Sequence, residues 1–149
     1  MNHNDTLKTL RYILNVNDAK MLEIVKLGGL ETTLADIQAL LKNEDEPGYS
    51  VCSDQVMAHF LNGLVTFKRG IDDTRPLQAL LVPVTNNIVL KKVRVAFELK
   101  DEDLRSMIEK SGLTVTKTEM SAFFRSPEHR NYRECGDQFL RNVLKGLKN

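Results

Sequence analysis

Residues 49–64 read YSVCSDQVMAHFLNGL, and residues 132–147 read YRECGDQFLRNVLKGL. The second stretch lies 83 residues after the first, and seven of the sixteen positions are identical. Extending the same register outward aligns His3–Thr66 with Asn86–Asn149 without a gap, giving sixteen identities in sixty-four positions. Two unrelated sequences of average composition give about four. The identities include Asn4/Asn87, Arg11/Arg94, Asp18/Asp101, Gly29/Gly112, Cys52/Cys135, Asp54/Asp137 and Gly63/Gly146. The chain is built from a duplicated unit.

Each copy checks the other's secondary structure. In the quoted stretches Val56, Met57, Phe60, Leu61 and Leu64 recur as Phe139, Leu140, Val143, Leu144 and Leu147, at helical spacing. A first helix is expected to start at the N-caps Asn4 and Asn87 and run to about Val16 and Leu99. A second is expected to be capped by Asp18 and Asp101. The third opens on the capping boxes Thr33–Asp36 and Thr116–Glu119. Almost no segment alternates with period two, so the fold class is all-α, two homologous repeats of about four helices each. The domains are residues 1–67, an apolar, proline-containing connector over 68–85, and residues 86–149. Leu77, Leu80, Leu81, Val82 and Val84 are too apolar for a solvated linker, and Pro76 is placed to start a helical turn. The two repeats are expected to form one body about a pseudo-twofold axis. Gly63 and Gly146 interrupt the strongest apolar stripe, where glycine costs about 1 kcal/mol relative to alanine. They mark either a close approach of this helix to another, its counterpart included, or a helix C-cap.

Composition narrows the class. The 149 residues carry 42% hydrophobic and 28% charged side chains with a net charge of +1, the balance of a globular protein. No stretch approaches the ~20 apolar residues of a membrane span, and Met1–Asp5 has no signal-peptide character. Two cysteines fit a reduced, cytoplasmic setting.

Three stretches, Asn86–Lys92, Phe60–Leu64 and Phe124–Leu140 (FRSPEHRNYRECGDQFL), resemble the YehS-like family, bacterial proteins built from two copies of a small helical domain of unknown function. The resemblance spans essentially the whole chain and implies a bacterial, cytoplasmic protein. It supplies no catalytic residue, cofactor or partner.

The residues themselves offer three constellations. Arg11 and Arg94 lie on apolar stripes and need carboxylates. Asp54 or Asp18 is expected to serve Arg11, and Asp137 or Asp101 to serve Arg94, as structural ion pairs. Cys52 and Cys135 precede helix starts, where a lowered pKa would make a nucleophile. Neither copy keeps a histidine base, since Asn142 replaces His59 and Glu46 stands opposite His129. Small buried residues are the favoured reading, and the spacing fits no metal site. Leu104–Arg125 has helix-turn-helix character, with Lys117–Arg125 as recognition helix and Arg130 and Arg133 beyond it. These four cations, Lys117, Arg125, Arg130 and Arg133, are the candidate contacts to nucleic acid or to an acidic partner.

The exposed run Glu44-Asp45-Glu46 lacks calcium-loop spacing, and Gly28-Gly29 is no phosphate loop. No Ser-His-Asp, HExxH or paired-carboxylate pattern is present, so no cofactor or metal is expected. A non-enzymatic binding or regulatory module, acting on protein or on itself, is the leading function class. Nucleic-acid binding through the second repeat comes next, then an enzyme using Cys52 or Cys135. Residues 1–66 hold five basic and nine acidic side chains, whereas 86–149 hold thirteen and nine. The near-neutral chain is therefore polarised, −4 against +4.

Overall fold

A computed structural model describes residues 1–71, 74 and 78–148. Six of the eight helices among the described residues begin where an N-cap side chain satisfies a free backbone N–H. The Asn2 side chain accepts from Asp5 N at 2.8 Å and opens α1 (His3–Leu14); Asn17 accepts from Lys20 N at 2.9 Å and opens α2 (Asp18–Leu27). Thr33 opens α3 (Leu34–Leu41), and Ser53 opens α4 (Asp54–Arg69). In the second repeat Thr85 opens α5 (Asn86–Ala96), and α6 (Asp101–Lys110) begins where Lys100 N donates to Asp103 at 2.8 Å. Thr116 and Glu119 form a complete capping box at α7 (Lys117–Ala122), and α8 (Asp137–Lys148) follows. Helix is the only regular structure among the described residues, and none of these helices is long and apolar enough to cross a membrane.

The expected caps shift in two places. Asn4 and Asn87 lie inside α1 and α5, each buried, and Asp18 and Asp101 are the first helical residues after the true caps Asn17 and Lys100. Helix α7 ends at Ala122, so Lys117–Arg125 is not one recognition helix. Phe123 turns into the core, and the chain leaves through Ser126-Pro127.

The chain divides into two compact units, Met1–Val84 and Thr85–Asn149. In the first, α2 packs along α4, and α3 closes over α1 and α2. Leu7, Leu10, Met21, Ile24, Met57, Phe60, Leu61 and Leu64 form its core. A wholly apolar void of about 10 Å³ between Leu7, Met21, Ile37 and Phe60 is about one water in size. In the second unit α6 packs on α8 around Leu90, Leu104, Ile108, Met120, Leu140 and Leu144.

The stretch 78–84 belongs to the first unit. Asn62 Nδ2 donates to Ala79 O at 3.3 Å, and Val84 N donates to Asp54 Oδ1 at 3.1 Å. Val84 is buried and Leu80 and Leu81 are half-buried, while Val82 stays exposed. The turn expected at Pro76 lies outside the described residues.

Gly63 is not a cap, because α4 runs on to Arg69. A Cβ there would stand 1.8 Å from Ile24 O and 2.9 Å from Gly28 N, and a Cβ on Gly28 would stand 1.7 Å from His59 O. The close approach is therefore to α2 of the same repeat, backbone against backbone. In the second repeat Met107 replaces Ile24 as the nearest neighbour. A Cβ on Gly146 would meet its Cβ and Cγ at 2.9 Å.

Candidate functional site

The duplicated Tyr-x-x-Cys-x-Asp-Gln motif is held by the duplicated asparagine. Asn4 Nδ2 donates to Leu40 O at 3.0 Å and Ser50 O at 2.8 Å, while its Oδ1 accepts from Cys52 N at 2.9 Å. Asn87 repeats the arrangement on Phe123 O, Arg133 O and Cys135 N at 3.0, 2.8 and 2.8 Å. One buried amide thus ties the end of the third helix to the start of the fourth. It satisfies backbone groups that would otherwise be buried unpaired.

The thiols beside it are buried. Burial, reinforced by Asp54 and Asp137, pushes Cys52 and Cys135 up to about 12, so both are protonated thiols and poor nucleophiles near neutral pH. His59 is engaged elsewhere: its Nδ1 lies 2.8 Å from Gly28 O.

Arg11 meets Asp18 at 3.3 Å, and Arg94 meets Asp101 at 3.0 Å. Asp54 and Asp137 are not the arginine partners, because each lies at the start of the fourth helix of its repeat beside the start of the first. Asp54 Oδ1 is 2.7 Å from His3 Nε2, and Asp137 Oδ1 accepts from Asn86 Nδ2 at 2.7 Å. The His3 contact and the Val84 N–H hold the Asp54 carboxyl below its usual range. Arg11 instead sits in the last turn of α1 and reaches the first residue of α2. With side chains 41% and 33% exposed, the Arg11–Asp18 pair has the energetics of the surface, about 0–1 kcal/mol, and not those of a buried pair.

In the second repeat an open cleft of about 460 Å³ lies between α7 and the loop that follows it. Thr118, Glu119, Arg125, Asn131, Tyr132 and Arg133 line it, with Ala122 as an apolar patch. Of the four predicted cations, Arg125 and Arg133 line the cleft; Lys117 and Arg130 are exposed and do not. Arg133 Nη1 donates to Glu119 Oε2 at 2.9 Å, with its guanidinium 5.8 Å from the Phe123 ring centre. Hydrogen bonds from Thr116, then Arg133, hold Glu119 below the usual carboxylate range, so Arg133 is paired with an ionised carboxylate. The half-buried Arg125 side chain has no hydrogen-bond or ion-pair partner among the described residues. Burial, then Glu134 and Cys135, raises the Tyr132 phenol, which remains a neutral hydrogen-bonding group.

The first repeat shares backbone hydrogen bonds here but differs in its side chains and in the turn itself, where Gly48 is left-handed and its counterpart Asn131 is not. Ser50 N donates to Ala39 O as Arg133 N donates to Ala122 O, at 3.1 and 3.2 Å. Lys42, aligned with Arg125, donates to Pro47 O at 2.9 Å and passes across Gly48, whose φ is +87°. Asn131 replaces that glycine and Arg133 replaces Ser50. Sequence reasoning missed Glu119, Asn131 and Tyr132 as lining residues. Only Asn131 differs in kind between the copies, standing where the first repeat has Gly48; Tyr132 is shared with Tyr49 and Glu119 stands opposite Asp36, so nothing along the sequence singled these two out.

The family model described as "Protein of unknown function (DUF1456)" matches residues 3–70 and again 86–149. The chain is 44% identical to "Uncharacterized protein YehS" of Escherichia coli (strain K12) over 144 residues, covering 97% of this chain and 92% of that protein. No solved structure matches it. Two matched segments, each folded as four helices, place the chain in the DUF1456 family as a tandem duplication.

Proposed function

We propose that the protein is a non-enzymatic binding module that receives an acidic segment of a protein partner in the cleft of its second repeat. One observation carries this reading: Arg125 is an uncommitted guanidinium in an open cleft, whereas its counterpart Lys42 is tied to Pro47 O. The neighbouring Thr118 hydroxyl, Asn131 amide and Tyr132 phenol add short-range hydrogen-bonding groups suited to a carboxylate. The volume falls within the range of about 300–1,000 Å³ typical of ligand clefts. A bacterial cytoplasm is the setting, on cysteine usage and kinship.

Nucleic acid is less well served. Phosphate tracking needs several free cations in a row, and the cleft offers one, whereas a single carboxylate needs only one. Lys117 and Arg130 lie outside the lining.

Fluorescence anisotropy with a labelled Glu/Asp-rich peptide, a neutral peptide of equal length and a single-stranded oligonucleotide tests the proposal. Selective binding of the acidic peptide, weakened at least about tenfold by Arg125→Glu, is expected. Flat anisotropy with all three, or oligonucleotide binding indifferent to Arg125, overturns it.

A further inference from the structure

The two repeats have diverged in opposite senses around the same loop. In the first, the cation is used internally, with Lys42 Nζ on Pro47 O at 2.9 Å, and the adjoining turn carries Glu44, Asp45 and Glu46, all exposed. Glu46 accepts from Asn43 N at 2.9 Å, while Glu44 and Asp45 have no hydrogen-bond or ion-pair partner among the described residues. In the second repeat the acid is the committed group: Glu128 accepts from the Ser126 hydroxyl and is held below its usual range by it. The cation, Arg125, is the spare one. One copy thus offers free carboxylates on a protruding turn, and the other a free guanidinium in a cleft, on repeats of net charge −4 and +4.

We infer that the cleft of the second repeat takes the Glu44–Asp45 turn of a second copy of this chain. This rests on the cleft being a binding site for acidic segments and adds the identity of the partner. The turn presents its carboxylates to Arg125, with Asn131, Tyr132 and Thr118 within the same lining. Opposite net charges steer the encounter and disfavour like-to-like pairing of repeats. Joining turn to cleft is a heterologous contact. Reciprocal engagement of both chains makes an isologous two-fold dimer, whereas one-way engagement extends to rings or longer assemblies.

Sedimentation velocity and light scattering across a wide concentration range read the association directly, with circular dichroism confirming that each variant is folded. The wild-type chain is expected to gain mass with concentration at low salt. It should lose that gain as ionic strength rises from about 0.1 M to 1 M, where the Debye length falls from about 10 to 3 Å. Arg125→Glu alone and the double variant Glu44→Lys/Asp45→Lys alone are each expected to stay monomeric. Mixed together they are expected to form a one-to-one complex, because the first keeps an intact turn and the second an intact cleft. A monomeric wild type, a double variant that associates like wild type, or a mixture that stays monomeric overturns the inference. Acidic-peptide binding by a monomeric wild type would remove the self-association and leave the cleft's function standing; loss of both would remove both.

Discussion

Gly63→Ala tests the packing of the first repeat at its tightest point. The added methyl carbon would lie 1.8 Å from Ile24 O, 2.8 Å from Ile24 C and 2.9 Å from Gly28 N. A relaxed C···O contact is about 3.3 Å or more, so α2 and α4 must part by about 1.5 Å at this crossing. A gap of 0.5–1 Å already forfeits a quarter to a half of each dispersion contact it opens. The separation therefore propagates to Ile24, Met57 and Phe60, all fully buried. Overpacking costs about 1–3 kcal/mol and more where the obstacle is backbone, set against about 1 kcal/mol gained from alanine's helix propensity. With the backbone obstacle placing the cost at about 3 kcal/mol or above, the expected net loss is about 2 kcal/mol or more. Urea titration followed by far-ultraviolet circular dichroism measures it, with Gly146→Ala as the matched control. There the obstacle is Cβ and Cγ of Met107 at 2.9 Å, a far smaller overlap than at Gly63 but one that only a backbone shift relieves, and a loss of about 0–2 kcal/mol, smaller than at Gly63, is expected. If Gly63→Ala were as stable as wild type, or Gly146→Ala cost as much, the asymmetric helix crossing would be refuted.

Asn4→Ala and Asn87→Ala each remove three hydrogen bonds and strand buried backbone groups, so a loss of about 2–4 kcal/mol by thermal or urea unfolding is expected. An exposed N-cap would cost only about 1 kcal/mol. Cys52 and Cys135 are raised from 9.0 to about 12, so the folded state holds those protons more tightly than the unfolded chain. Their contribution to stability is whole below pH 9 and lost as the pH rises toward 12. Iodoacetamide labelling of the native protein should be slow at pH 8 and still accelerating above pH 10, and a plateau below pH 9 would contradict the burial. Arg11→Ala should cost no more than about 1 kcal/mol, and Arg94→Ala somewhat more, because Arg94 also lies 4.5 Å over the Phe124 ring. Equilibrium unfolding of the two variants side by side decides the order.

The gapless 83-residue register was enough to establish two repeats, four helices in each and the apolar stripe of every helix. Periodicity and capping are local properties that each copy reports independently. The N-caps Thr33 and Thr116 could be read for the same reason, although only Thr116 closes the expected capping box and Asp36 accepts from Thr32 instead; Asn4 and Asn87 could not be read. A cap and a buried clamp are the same residue type, and only the placement of Ser50 and Cys52, some forty-eight residues away, tells them apart. The choice of Asp18 and Asp101 over Asp54 and Asp137 followed from which helix ends meet. The close approach marked by Gly63 likewise belonged to α2, because crossing geometry is set by all the side chains at an interface. Of the four cations on the second repeat, tertiary structure gathered Arg125 and Arg133 into a cleft and left Lys117 and Arg130 outside it. Sequence determined the elements and their duplication, because these depend on neighbours along the chain. Partners, burial and the cleft depend on neighbours in space, and only the folded structure decided them.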